Sequence, residues 1–231
     1  MYREFVGFAD RAEAGRLLAR RLQRYADRDD VMVLALPRGG VAVGFEIATA
    51  LHVPLDVFLS RKLGAPGHEE FALGAVSSGG IRVLNPEAIQ AMGVSKRQLD
   101  AITAREQYEL ERREQIFRGP RPLPDLTRHT VILVDDGIAT GSSIQAAVVG
   151  LRELHPARVV VAVPVAPSAA ILYLRSFVDE IVCLASPTSF RGVGEFFQDF
   201  SQLTDQEVRG LLIRADELLH QPQEFYVEEK T

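Results

Sequence analysis

The sequence predicts an α/β fold: one domain built on a parallel sheet with helices on its faces. Two observations carry that expectation. Short apolar runs recur at 31–36, 53–59, 131–134, 159–163 and 180–184, and several are unbroken by polar residues, as in Val131-Ile132-Leu133-Val134. Strands buried on both faces of a parallel sheet read this way. Helix-patterned stretches separate most of these runs, and strand–helix–strand alternation with right-handed crossovers defines the class. The 231 residues suit a single domain spanning 1–231, interrupted by an insertion at about 85–120 and completed by a C-terminal segment at about 186–231.

Each element has its own warrant. Asp10-Arg11-Ala12-Glu13 has the form of a capping box, and Ala14, Leu17, Leu18, Leu22 and Tyr25 follow at helical spacing. The first strand, 31–36, is broken by Pro37-Arg38-Gly39-Gly40. A helix at 41–51 and a second strand at 53–59 complete a strand–loop–helix–strand unit. Residues 60–80 are rich in Gly and Ala, with Ala65-Pro66-Gly67-His68 expected as a mobile turn. Around Ser77-Ser78-Gly79-Gly80, the runs 71–76 and 81–84 can pair as a hairpin. Asn85-Pro86 opens a helix with proline at its first position. Ser95-Lys96-Arg97-Gln98 caps a long charged helix reaching about Phe117, whose charges suit a solvated face. After a Pro-rich link at 119–124 come a strand at 131–134, a helix at 142–154, a strand at 159–163, a helix at 167–175 and a strand at 180–184. Thr204-Asp205-Gln206-Glu207 caps a final helix.

Composition excludes several classes. Lys+Arg number 26 and Asp+Glu 31, so the formal net charge is −5, and with a pI near 5.6 this argues against a nucleic-acid binder. The one cysteine, Cys183, cannot form an intramolecular disulfide or a Cys-based zinc cluster, and it reads as an inert core residue. No apolar run is long enough to span a bilayer, and the N-terminus lacks signal-peptide character. The expectation is a cytoplasmic protein with no membrane partner.

The chemistry concentrates in Asp135-Asp136-Gly137-Ile138-Ala139-Thr140-Gly141-Ser142-Ser143. Two acids stand at the C-terminal end of a buried strand, where ligands bind in open α/β sheets. The small-residue loop after them can turn successive amides on an anion, with Thr140, Ser142 and Ser143 adding hydroxyls. A helix dipole contributes about 0.3–1 kcal/mol, and each hydrogen bond to a charged oxygen about 1.5–3 kcal/mol, so several loop donors outweigh the dipole. Two carboxylates would repel a phosphate; they suit sugar hydroxyls or a cation on the same ligand. The segment is not a P-loop, because Gly141 is followed by Ser142 rather than lysine. Gly39, Gly40 and Gly44 also lack the dinucleotide-binding spacing.

This acid pair and Gly-Ile-Ala-Thr-Gly-Ser loop resemble the 5-phosphoribosyl 1-pyrophosphate (PRPP) signature of the type I phosphoribosyltransferases. The chain also resembles a bacterial subgroup of phosphoribosyltransferase-domain proteins sharing a Pro-Arg-Gly-Gly segment, an Arg-Lys-x-Gly-Ala-Pro segment and a C-terminal Val-Gly…Phe…Asp-Phe segment. The last is here Val193-Gly194-Glu195-Phe196-Phe197-Gln198-Asp199-Phe200. The resemblance implies that Asp135 and Asp136 bind the ribose hydroxyls, and that Gly137, Ile138, Ala139, Thr140, Gly141 and Ser142 form the 5-phosphate loop. It implies a pyrophosphate loop of Pro37, Arg38, Gly39 and Gly40, basic residues Arg61 and Lys62 after the next strand, and a mobile loop at 63–80 closing over the site. The implied reaction is PRPP- and Mg²⁺-dependent transfer of a 5-phosphoribosyl group to a nitrogen acceptor, a nucleobase or related heterocycle, with release of pyrophosphate. Mg²⁺ would be held mainly by PRPP, with no protein ligand assigned, and the reaction would pass through an oxocarbenium-like state as in glycoside chemistry.

Other readings stay open at this point. The acid pair also suits a plain strand-end turn, and Pro37-Arg38-Gly39-Gly40 a tight βα connection. His68, Glu69 and Glu70 could take part in proton transfer from the mobile loop, or simply be exposed. Phe190, Phe196 and Phe197 could stack on a flat acceptor or pack inward. A PRPP-sensing regulatory module without catalysis, and a hydrolase of phosphorylated sugars, are the alternative functions. The hood over the acceptor could come from 1–25, from the tail after 186, or from both. The insertion could support a lid or form a homodimer surface.

Overall fold

The computed structural model describes residues 7–221. Its centre is a five-stranded, wholly parallel sheet in the order β2-β1-β6-β7-β8. These strands are β1 (Val31–Ala35), β2 (Leu55–Val57), β6 (Thr130–Val134), β7 (Arg158–Val165) and β8 (Glu180–Ala185). The expected five strands are all present, the second shortened to three residues. Every residue of β1 and β6 is buried. On β6, Val131 and Leu133 join one core, with Ile144, Val148 and Leu151 of helix α5 (Ser142–Arg152). Ile132 and Val134 join the other, with Leu18 of helix α1 (Arg11–Arg21), its C-cap residue Leu22, and Ile47 of α2 (Gly39–Leu51). Two covered faces explain why the strand shows no polar alternation. Helix α6 (Ser168–Leu174) precedes β8, and α7 (Asp205–His220) closes the described chain.

Local signals explain the helix starts. Asp10 accepts a hydrogen bond from the Glu13 amide at 2.7 Å, while Glu13 reaches past the cap residue to the Ala9 amide. Asn85 caps α3 (Pro86–Ala91). Ser95 with Gln98, and Thr204 with Glu207, form complete capping boxes on α4 (Lys96–Arg118) and α7.

The segment expected as a loop is built of strands. β3 (Ser60–Ala65), β4 (His68–Ser77) and β5 (Ile81–Leu84) make a separate antiparallel sheet. The β4–β5 pairing follows the expected hairpin, with Ser77 opposite Ile81. The expectation missed β3 and the first residues of β4. Pro66-Gly67 makes a two-residue turn with Gly67 at φ +73°, and Ala65 pairs with His68 across it. Leu63 and Ala65 of β3 and Leu73 and Val76 of β4 join a core shared with Leu99, Leu110 and Phe117 of α4. Gly64, Gly67 and Gly74 and the register shifts beside Gly64 obscure the strand pattern, which is why the stretch reads as a loop.

The start of the described chain meets the segment that precedes α7. The Phe8 amide donates to the Phe196 carbonyl at 2.8 Å, and the Gln198 amide to the Phe8 carbonyl at 2.9 Å. Phe8 packs against Phe197 with ring centroids 5.3 Å apart. The N-terminal segment and residues 196–198 are therefore joined by backbone pairing and by ring packing.

Candidate active site

The site lies beyond the C-terminal ends of β1 and β6, neighbours in the sheet. The Leu36 amide donates to the Val134 carbonyl at 2.8 Å, carrying the pairing one residue past β1 and bringing the loop 37–40 beside the acid pair. A Cβ on Gly40 would lie 2.8 Å from the Val134 carbonyl oxygen and 3.0 Å from the Asp135 Cα. A Cβ on Gly39 would collide with the Asp136 carboxylate. The glycines are required because the first loop packs directly on the second. The two segments that the sequence singled out thus border one cleft, of about 190 Å³, lined by Leu36, Pro37, Arg61, Arg113, Asp135 and Ser143 among others.

The two acids differ in environment. Burial pushes the Asp135 carboxyl well above the usual carboxylate range, and the neighbouring Asp136 charge adds to it. Its Oδ1 accepts from the Asp136 amide at 2.9 Å. Asp136 is instead held by Arg11, whose Nε donates to Oδ2 at 2.8 Å. The same guanidinium donates from Nη1 to the Ser201 carbonyl at 2.8 Å and lies 3.8 Å from the Phe200 ring centroid. One side chain thus joins α1, the tail and the acid pair. Sequence reasoning missed Arg11 because it read only as the residue after a helix cap; nothing local marks a partner 125 positions away.

The loop after the acids departs from the expectation at one point. Ile138 is buried, and its amide donates to the Val165 carbonyl at 2.9 Å, so that donor is already used. Among the described residues, the amides of Ala139, Thr140 and Gly141 have no protein acceptor, and Ala139 and Thr140 are exposed. Gly141, at φ +88°, turns the chain into α5. The hydroxyls of Thr140 and Ser142 lie 3.0 Å apart. In the first loop the Arg38 and Gly39 amides likewise lack an acceptor among the described residues. Arg38 is 3.8 Å from Asp205 at the start of α7.

Arg61 borders the cleft and binds Glu106 of α4 through Nε at 2.7 Å. Lys62 lies on β3 and pairs with Glu70 across the hairpin at 2.7 Å. Glu69 shares a second cavity with Arg61, Lys62 and Arg105, whereas His68 lines neither cavity. Phe190 and Phe196 stack on each other at 5.4 Å. Phe197 is only 8% exposed, with Phe8 and Phe200 against it; the structure places it in the core, where packing rather than acceptor stacking uses its ring. Among the described residues no cluster of three or more His, Cys, Asp or Glu could hold a metal.

Fold and site together define an α/β protein whose ligand cleft opens at the carboxyl ends of adjacent parallel strands. The chain belongs to the phosphoribosyl transferase domain family, whose model matches residues 9–194. It is 43% identical to TT1426 from Thermus thermophilus, whose crystal structure matches with a TM-score of 0.82 over 90% of this chain and 98% of that one. Two Mycobacterium tuberculosis proteins provisionally named phosphoribosyl transferases, Rv0571c and MT0597, are each 42% identical over 208 residues. The match covers 90% of this chain but 47% of theirs, so the chain spans about half the length of these relatives.

Proposed function

We propose that this chain is a phosphoribosyltransferase that uses PRPP and releases pyrophosphate as it joins the ribose to a nitrogen acceptor, a nucleobase or related heterocycle. The observation that carries the reading is the contact of 37–40 with the acid pair, which sets the two anion-seeking loops side by side at a cleft lined by Pro37, Asp135 and Ser143. In this reading Asp135 and Asp136 take the ribose hydroxyls, with Asp136 oriented by Arg11. The amides of Ala139 to Gly141 and the hydroxyls of Thr140 and Ser142 hold the 5-phosphate. The amides of Arg38 and Gly39, with Arg61, hold the pyrophosphate. The bond from the anomeric carbon to pyrophosphate breaks as the bond to nitrogen forms, and cations around the departing group lower the barrier by stabilising its charge.

The donor set suits a Mg²⁺ brought in on PRPP rather than one caged by the protein. Asp136 is engaged by Arg11, and burial opposes ionisation of Asp135. Bound Mg²⁺ would supply charge neutralisation of the diphosphate.

The first test is thermal unfolding with PRPP and Mg²⁺. A ligand at about a hundred times its Kd adds about 2.7 kcal/mol, a rise of about 5–11 °C for a chain of this size. The rise is expected to vanish in a folded Asp135→Asn/Asp136→Asn variant. No rise with PRPP, ribose 5-phosphate or nucleoside monophosphates would overturn the reading. Binding without pyrophosphate release, whatever the acceptor, would instead favour a sensor.

A further inference from the structure

We propose that Arg113, on the inserted helix α4, is a direct ligand of the diphosphate, so that the insertion forms one wall of the binding site. This rests on the transferase reading and extends it to a residue outside both loops and outside the basic pair Arg61 and Lys62.

Placement is the first support. Arg113 borders the same cavity as Pro37, Arg61, Asp135 and Ser143. It is held there from the helix end: five residues on, the buried Arg118 donates to the Val57 carbonyl at 2.6 Å and to Asp56 at 3.0 Å. Those contacts pin α4 to β2, and the chain leaving β2 supplies Phe58, Leu59 and Ser60 to the cavity. Arg113 therefore faces the cleft from an anchored element.

Charge is the second support. Glu106 is shared by Arg61 and Arg105, and Glu109 by Arg112 and Arg113. Of these four guanidiniums, Arg61 and Arg113 line the cleft itself, where Asp135 is the one acidic residue of the lining. Glu109 accepts two shorter bonds from Arg112, at 2.8 and 2.9 Å, and one from Arg113 at 3.3 Å. Arg113 is thus the less compensated of the two, and its side chain is 46% exposed. A diphosphate entering beside Asp135 brings a concentrated negative charge that flanking cations must offset. Guanidinium forks suit its paired oxygens.

Calorimetric titration of the full chain, in Mg²⁺, with inorganic pyrophosphate and separately with ribose 5-phosphate tests this. Arg113→Ala is expected to weaken pyrophosphate binding about ten- to a hundredfold, the loss of one charge-assisted hydrogen bond, and to leave ribose 5-phosphate within about twofold. Arg113→Lys should recover part of the loss, since it restores the charge without the fork. Pyrophosphate binding unchanged in Arg113→Ala, or an equal loss of both ligands in both variants, overturns the proposal while leaving the transferase reading standing. Failure of the unmodified chain to bind either pyrophosphate or PRPP overturns both.

Discussion

Asp135 and Asp136 are adjacent in sequence and opposite in what the fold asks of them. Asp136 has a cationic partner, whereas Asp135 is set where burial favours its protonated form. The sign of the pH effect follows. The unfolded chain releases the Asp135 proton near the ordinary carboxylate value, and the folded chain keeps it to higher pH. Across that window the folded state binds more protons, so this group's contribution makes stability fall as pH rises. Asparagine removes the charge and keeps an oxygen for the Asp136 amide. Asp135→Asn is therefore expected to raise Tm at pH 7 by about 2–4 °C, equivalent to about 1 kcal/mol, while weakening PRPP. The variant minus parent difference in Tm, measured from pH 4 to pH 8, should grow with pH; a constant or shrinking difference would contradict it.

At the scale of elements, the site is a junction between helix starts and strand ends. Helix α2 begins at Gly39, where alanine would ordinarily stabilise a helix by about 0.5–1 kcal/mol. Here the added Cβ would strike the Asp136 carboxylate and crowd Arg11 Nε at 3.0 Å. Gly39→Ala is thus expected to lower Tm and to abolish the PRPP-dependent rise, both read in one melting series; a stabilised, PRPP-responsive variant would show that the loops do not pack as described. The hairpin of β3 and β4 is the element whose order was hardest to foresee. Its core residues, Leu63, Ala65, Leu73 and Val76, keep no regular alternation, its glycines and the Pro66-Gly67 turn also fit a loop, and only packing on the apolar face of α4 decides between them.

At the scale of the molecule, segments far apart in the chain converge on Asp136. Phe8, Phe197 and Phe200 pack together, and Phe200 lies under the Arg11 guanidinium that holds Asp136. Truncating a buried phenylalanine costs about 3–5 kcal/mol. Phe197→Ala is expected to fall in that range in urea unfolding and also to weaken ribose 5-phosphate, because Arg11 loses the layer that seats it. Unchanged sugar affinity in a folded Phe197→Ala variant would uncouple the tail from the acids.

The sequence by itself determined the parallel sheet, the helix caps and the two loops at strand ends. These are written in local terms: strands apolar on both faces, capping residues three apart, and small residues where the backbone must turn. Only the tertiary structure decided that Arg11 pairs with Asp136, that Phe197 belongs to the core, that residues 60–84 form a second sheet, and that Arg113 reaches the cleft. Each of these depends on contacts between residues far apart in the chain, and no local pattern records which distant surface a side chain will meet.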